Sequence, residues 1–216
     1  MALSLNIAAI RTNYSKKELS EDSVLQDPLL QFSNWLQQAI EAEVLEPTAL
    51  VLSSVNAVNR PSARVMLLKD ISDGGFTFFT NYQSRKGEEL TANPFAAMTF
   101  FWPELERQVR IEGQVVRVPE QISEEYFNSR PEGSRIGAWA SPQSREISSR
   151  AQLEEAGRRY ASEFSGLGHV PRPPHWGGFT LRPDYLEFWQ GRPDRLHDRI
   201  AYELTETGWI TKRLAP

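Results

Sequence analysis

Between Phe188 and Arg199 the chain reads FWQGRPDRLHDR, which sets Trp189, Arg195, His197 and Arg199 close together. An indole, an imidazole and two guanidiniums suit the rim of a site for a flat, anionic ligand. A solvated turn has the same composition. Other stretches carry similar chemistry. In TNYQSRKGEEL, Thr80, Ser84, Arg85 and Lys86 lie where a strand gives way to a helix. Hydroxyls, backbone N–H groups and two cations at a helix start make a phosphate cradle; a basic surface turn is the alternative. In RVMLLK, Arg64 and Lys69 bracket an apolar run and, five residues apart, face opposite sides of a regular strand. In ERQVRIEG, Gln108 and Arg110 share one strand face, and Gln108 suits an amide-like ring edge or plain solvent. Tyr126, Arg130 and Ser134 recur at four-residue steps, a phenol, a guanidinium and a hydroxyl suited to a second phosphate. They share one helical face if the turn persists past Ser129; Pro131 argues against that, though a loop can still converge them, and Gln143 and Ser144 follow in a loop.

Several chemistries find no support. Without cysteine there are no disulfides, thiolate metal sites or cysteine nucleophiles, and a reducing compartment fits. His169, His175 and His197 form no i, i+4 pair, so no protein-built metal site is expected. No Gly-x-Gly-x-x-Gly follows a strand, and neither a hydrolytic triad nor a carboxylate pair for glycoside chemistry can be identified. A net charge of -4 gives no general reason to expect nucleic acid. No segment approaches the ~18 apolar residues of a membrane span. The basic residues near the N-terminus follow its apolar stretch, the wrong order for a secretory signal. The first 26 residues read as a flexible arm of a cytoplasmic protein.

The elements that must position these residues are mostly strands. Asp27-Pro28 opens a helix expected over 28–45, with Leu29, Phe32, Leu36, Ala39 and Ile40 on one face. Segments 48–55, 62–69, 75–81, 95–102 and 107–118 are short, β-branched and aromatic, separated by turn residues. They predict an antiparallel sheet closing toward a barrel. Helices are expected over 120–128 and 150–165, the second opened by a Ser149/Gln152 capping box. Strand texture returns in 177–183, 185–190, 200–205 and 208–214. One mainly β domain with flanking helices follows, over 27–216.

In this order, RVMLLK, FFTNYQSRKGEEL, ERQVRIEG, YFNSRPEGSRIGAWASPQS, FWQGRPDRLHDR and the terminal KRLAP closely resemble the motifs of the pyridoxamine 5'-phosphate oxidase family. The resemblance implies an FMN-binding split β-barrel, working as a homodimer with FMN at the subunit interface. On matching positions it implies flavin contacts at Arg64, Val65, Met66, Leu67, Leu68, Lys69, Phe79, Thr80, Arg85, Lys86, Gln108, Gln143, Ser144, Trp189 and Arg199, some from the partner chain. It implies that Lys69, Tyr126, Arg130 and Ser134 grip a substrate phosphate, and that Arg195 and His197 lie over the pyridine ring as catalytic residues. Arg11 and Tyr14 match the family's Arg-x-x-Tyr lid element. The family often has Gly-Glu-His where this chain has Arg192-Pro193-Asp194, and tyrosine where it has Phe79.

The implied reaction passes a hydride from C4' of pyridoxamine 5'-phosphate or pyridoxine 5'-phosphate to FMN, with dioxygen as final acceptor. Pyridoxal 5'-phosphate and hydrogen peroxide result, with ammonia from the amine. Two other classes share this fold type: a carrier of FMN or pyridoxal phosphate without turnover, and a flavin reductase using a nicotinamide donor. The six substrate-side residues Lys69, Tyr126, Arg130, Ser134, Arg195 and His197 argue against the carrier, and a reductase would not need two separate phosphate grips.

Overall fold

A computed structural model describes residues 13–216. They pack as two compact units of interleaved segments. The smaller takes residues up to Pro47, Thr99–Ile111 and Tyr185–Pro216; the larger takes Thr48–Met98 and Glu112–Asp184.

The smaller unit opens with α1 (Pro28–Glu41), capped by Asp27, whose carboxylate accepts from the N–H groups of Leu29 (2.7 Å) and Leu30 (3.3 Å). The helix stops at Glu41, short of the expected residue 45. Glu43 takes a left-handed φ of 52°, and the Val44 N–H bonds back to Ala39 O at 3.0 Å. That closure usually uses glycine, so a glutamate there left no signal. Phe32, Trp35 and Ala39 form the buried face of α1; Trp35 meets Phe188 edge-on at 5.1 Å and Phe32 meets Phe100 at 4.8 Å. β7 (Asp198–Thr205) and β8 (Gly208–Leu214) form a hairpin, and β7 pairs with the end of β6 so that Trp189 and Arg199 are cross-strand neighbours.

In the larger unit, β1 (Ala49–Val55) and β2 (Pro61–Leu67) form an antiparallel hairpin. β3 (Phe76–Asn81) leads into α2 (Arg85–Ala92). β4 (Phe95–Trp102), β5 (Arg107–Arg117) and β6 (Trp176–Gln190) each run through both units. Hydrogen bonding follows the order β2-β1-β4-β5-β6-β7-β8, with β3 also on β6. The order has two ends, β2 and β8, so the sheet is not closed as the strand spacing alone suggested. Leu50, Leu52, Phe76, Phe78, Met98 and Leu181 are buried in this unit.

Pro183 lies inside β6, where the sequence suggested two strands. β5 passes close there: a Cβ on Gly113 would stand 2.1 Å from Arg182 O and 2.8 Å from Pro183 Cα. Backbone cannot yield as a side chain does. Gly113→Ala is therefore expected to destabilise the protein by about 2 kcal/mol or more. A denaturant titration checks this, and an unchanged midpoint would mean that the two strands can separate without loss.

Three helices complete the larger unit: α3 (Glu120–Ser129), α4 (Glu132–Ala140) and α5 (Arg150–Phe164). The sequence showed α3 and α5 but not α4. Pro131 pushes Arg130 into extended backbone (φ -74°, ψ 149°), ends α3 and then serves as the N-cap of α4. Ser134 consequently lies on a different helix from Tyr126. The expected Ser149 cap makes no side-chain bond; instead the Gln152 side chain accepts from the Ser148 N–H and hydroxyl, both at 3.0 Å. Among the described residues no helix is long and apolar enough to cross a membrane, and no cluster of metal-ligating side chains occurs.

Candidate functional site

The expected site residues fall into clusters within each unit. In the larger unit, Ser84 caps α2 by accepting from the Gly87 N–H at 3.3 Å. Lys86 on the first turn is only 7% exposed. Its ammonium reaches Gln143 Oε1 at 3.0 Å, Thr80 Oγ1 at 3.2 Å and Ser84 Oγ at 3.4 Å. Burial, then the charge of Arg64, lower its pKa to about 8. A buried cation with no carboxylate partner among the described residues, ringed by hydroxyl and amide groups, suits an incoming anion. Arg64 and Arg85 belong to the same neighbourhood, since both bond Glu89.

Arg64 also donates to Leu52 O (3.2 Å) and Ser54 Oγ (2.6 Å). Val65 and Leu67 are exposed on β2, Met66 is half-buried and Leu68 is buried. The parity expected of Arg64 and Lys69 does not apply. β2 ends at Leu67, and the Lys69 N–H bonds Thr77 O at 2.8 Å as the chain turns onto β3. Gln143 and Ser144 lie in the loop after α4, Ser144 at a left-handed φ of 70°.

A second cluster is aromatic. The Phe79 ring stacks on Tyr126 at 4.0 Å (17°) and lies near-parallel to Trp176 at 5.5 Å (10°). That packing uses the ring faces of Phe79 and needs no hydroxyl. The Arg130 guanidinium sits over Trp176 at 4.6 Å, and its buried Nη1 has no hydrogen-bond partner among the described residues. Burial lowers its pKa, yet an arginine remains charged at neutral pH. An unpaired, desolvated guanidinium donor is a second anion-type position. Lys69 and Ser134 are exposed.

In the smaller unit, Trp189 and His197 lie 4.7 Å apart, and Tyr14 packs on both at 5.7 and 5.8 Å. Tyr14 is held by the following residues: the Ser15 and Lys16 N–H groups donate to Glu106 Oε2 at 2.9 and 3.0 Å. Arg11 lies outside the described residues. His197 Nδ1 accepts the Arg192 N–H at 3.1 Å, so the neutral ring carries its proton on Nε2. Burial and then the Arg195 charge lower the His197 pKa. Arg195 is exposed on a turn where Asp194 (φ 57°) and Arg195 (φ 62°) are both left-handed. Such backbone costs roughly 1–3 kcal/mol per residue and concentrates at functional sites.

Arg199 makes a two-pronged bond to Glu187, Nε to Oε1 at 2.9 Å and Nη2 to Oε2 at 3.0 Å. Arg110 (3.2 Å) and the Tyr185 hydroxyl (3.1 Å) also donate to Glu187 Oε2. Burial opposes that carboxylate's charge, but bonds and charge from Arg199, with Arg110, win and lower its pKa. Gln108 is half-buried on β5, between the buried Arg107 and Val109.

Sequence reasoning missed Glu89, Ser54, Ser62, Trp176 and Glu187. Arg85–Glu89 is an i, i+4 pair and Ser62–Arg64 an i, i+2 strand pair, signals that were available. Trp176 gives no local signal of its place 50 positions beyond Tyr126.

Residues 36–161 match a family model described as pyridoxamine 5'-phosphate oxidase, and residues 176–216 match one described as the pyridoxine 5'-phosphate oxidase C-terminal dimerisation region. Proteins named pyridoxine/pyridoxamine 5'-phosphate oxidase from Neisseria meningitidis serogroup C and Chromobacterium violaceum are each 56% identical. They cover 98% and 99% of this chain and 100% of their own length. The crystal structure of PhzG from Burkholderia lata 383, in complex with tetrahydrophenazine-1-carboxylic acid, is 35% identical with a TM-score of 0.84, covering 90% of this chain and 95% of that one. A pyridoxamine 5'-phosphate oxidase-related, FMN-binding protein from Nostoc punctiforme, 15% identical with a TM-score of 0.68 over 86% of this chain and 97% of its own, shares the fold.

Proposed function

The chain belongs to the pyridoxamine 5'-phosphate oxidase family, and from that premise we propose how its residues serve an FMN-dependent oxidation of pyridoxamine 5'-phosphate and pyridoxine 5'-phosphate to pyridoxal 5'-phosphate. The fold is the split β-barrel of that family. The observation that carries the reading is the pair of anion positions in the larger unit, Lys86 and Arg130, one for each phosphate-bearing ligand. The donor set fits FMN: Thr80, Ser84, Lys86 and Gln143 supply hydroxyl, ammonium and amide groups suited to a phosphate. Bound FMN supplies the two-electron acceptor.

The other roles follow the chemistry of the side chains. Arg64 and Arg85 add charge to the cradle, and residues 65–69 line it with backbone. Trp189, Arg199 and Gln108 face the flavin ring system. Arg130, with Tyr126, Ser134 and Lys69, holds the substrate phosphate. Arg195 orients the pyridine ring, and His197 offers a Nε2 proton toward it. Tyr14, packed on Trp189 and His197, screens them from water, and Arg11 of the Arg-x-x-Tyr element binds substrate. PhzG holds a phenazine acid; the Arg130 position favours a phosphorylated substrate here.

The match of residues 176–216 to a dimerisation region supports a homodimer, with FMN at the interface. Residues 27–216 act as one oxidase domain, because β4, β5 and β6 each belong to both compact units. Dioxygen is the final acceptor, giving one hydrogen peroxide per product; the amine route also consumes one water and releases ammonia. The enzyme works in the cytoplasm, where charged phosphate esters are retained by the bilayer.

The test is direct. FMN and pyridoxine 5'-phosphate are added to the protein in air, and pyridoxal 5'-phosphate and peroxide are followed together. Equal yields are expected. Tight flavin binding with neither product would favour a carrier. Flavin reduction by a nicotinamide donor alone would favour a reductase.

A further inference from the structure

We propose that Glu89 is a positioning residue: it holds Arg64 and Arg85 in the geometry that makes flavin binding depend on the ligand's phosphate, without touching the ligand itself. This rests on the reading of the Lys86 cradle as the FMN phosphate position.

Glu89 sits on the second turn of α2 and is 5% exposed. Its Oε2 accepts from Ser54 Oγ (2.6 Å), Ser62 Oγ (2.6 Å) and Arg64 Nη2 (3.2 Å). Its Oε1 accepts from Arg85 Nε at 2.8 Å. β1, β2 and α2 thus each send donors to one carboxylate. Three donors crowd Oε2 and one holds Oε1, and at 5% exposure the carboxylate is turned to these side chains and away from solvent. Burial works against ionisation, but the bonds from Ser54, Ser62 and Arg85, with the Arg85 charge, hold its pKa at about 2. The group is therefore an anion at any working pH.

Charge and geometry make opposite predictions for its removal. Glu89 is the only carboxylate bonded to Arg64 and Arg85 among the described contacts. On charge alone, deleting it would strengthen phosphate binding. Geometry says otherwise. A guanidinium grips phosphate through short, directed bonds. The Arg85 side chain is 56% exposed, and without Glu89 it is free to turn into solvent. Arg64 would keep Leu52 O and Ser54, and its Nη2 would keep Ser62, but Nη2 would lose the carboxylate and both serines the acceptor that orients their hydroxyls. Ordering both side chains would then fall to the ligand.

Full-length protein freed of flavin is titrated with FMN and, separately, with riboflavin, which lacks the phosphate. Flavin fluorescence gives both affinities for the unchanged chain, Glu89→Gln, Glu89→Asp and Lys86→Met. The unchanged chain is expected to prefer FMN strongly. Glu89→Gln is expected to lose roughly tenfold or more in FMN affinity while riboflavin affinity stays within about twofold. Glu89→Asp, whose carboxylate is drawn back by one methylene and cannot span both arginines, moves the same way. If Glu89→Gln does not fold, Glu89→Asp decides by the same criterion. Unchanged or tighter FMN binding overturns the proposal, and so does an equal loss for both flavins, the mark of a merely structural group. If Lys86→Met loses the FMN preference while both Glu89 variants keep it, the cradle stands and Glu89's role falls. If the unchanged chain shows no preference and Lys86→Met alters nothing, the cradle reading falls as well.

Discussion

Arg195→Lys is expected to lower kcat about a hundredfold while FMN affinity stays within about twofold of the unchanged chain. Lysine keeps the charge, so the loss reports geometry. The planar guanidinium fork can meet a ring substituent at two points, and an ammonium cannot. The backbone sharpens the effect. Asp194 and Arg195 are both left-handed, which fixes the direction in which the side chain leaves the turn. A misplacement of about 1 Å at a reacting centre costs on the order of a hundredfold in rate. Steady-state kinetics with pyridoxine 5'-phosphate, alongside an FMN titration, checks the split. Equal losses in turnover and flavin binding would remove Arg195 from the substrate side.

Lys86→Met is expected to do two opposite things. FMN affinity falls by roughly 10- to 100-fold, because a charge-assisted bond to the phosphate is gone. The flavin-free protein becomes more stable at pH 7. The Lys86 pKa of about 8 lies below its ordinary 10.5. Between these values the folded protein binds fewer protons than the unfolded chain, so stability rises with pH across that window. Below pH 8 the full cost of burying the charge is present, at most about 3 kcal/mol. Methionine fills the same space without that cost. FMN affinity of the unchanged chain should therefore be greatest below pH 8 and decline above it as Lys86 loses its proton, while the variant's remains flatter. Denaturant titrations with and without FMN at pH 7, and FMN titrations from pH 6.5 to 9.5, measure both effects. A variant that is less stable without flavin would mean that Lys86 is a structural cation.

Much of the fold was legible because strand and helix patterns are local. The apolar and β-branched run at 95–102 is β4 to the residue, and Asp27-Pro28 opens α1 where a cap and a first-turn proline should. What was missed had no local signature. The α1 terminus uses a left-handed glutamate in place of glycine. α4 hides behind Pro131, which reads as a breaker but serves as a cap. The sheet's open ends depend on which strands pair, and residue alternation records only which face of a strand is apolar.

The site divides the same way. Residue types and order alone determined that this chain carries cations, hydroxyls and aromatics suited to phosphate and a flat ring, because chemical capacity belongs to the side chain. Tertiary structure decided which of them act together. Glu89 reaches Ser54 across 35 positions, and Trp176 stacks with Tyr126 across 50. Burial made Lys86 a cation with a pKa near 8, and packing left Arg130 with an unpaired donor. Desolvation and contact depend on where distant segments meet, and no local pattern encodes that.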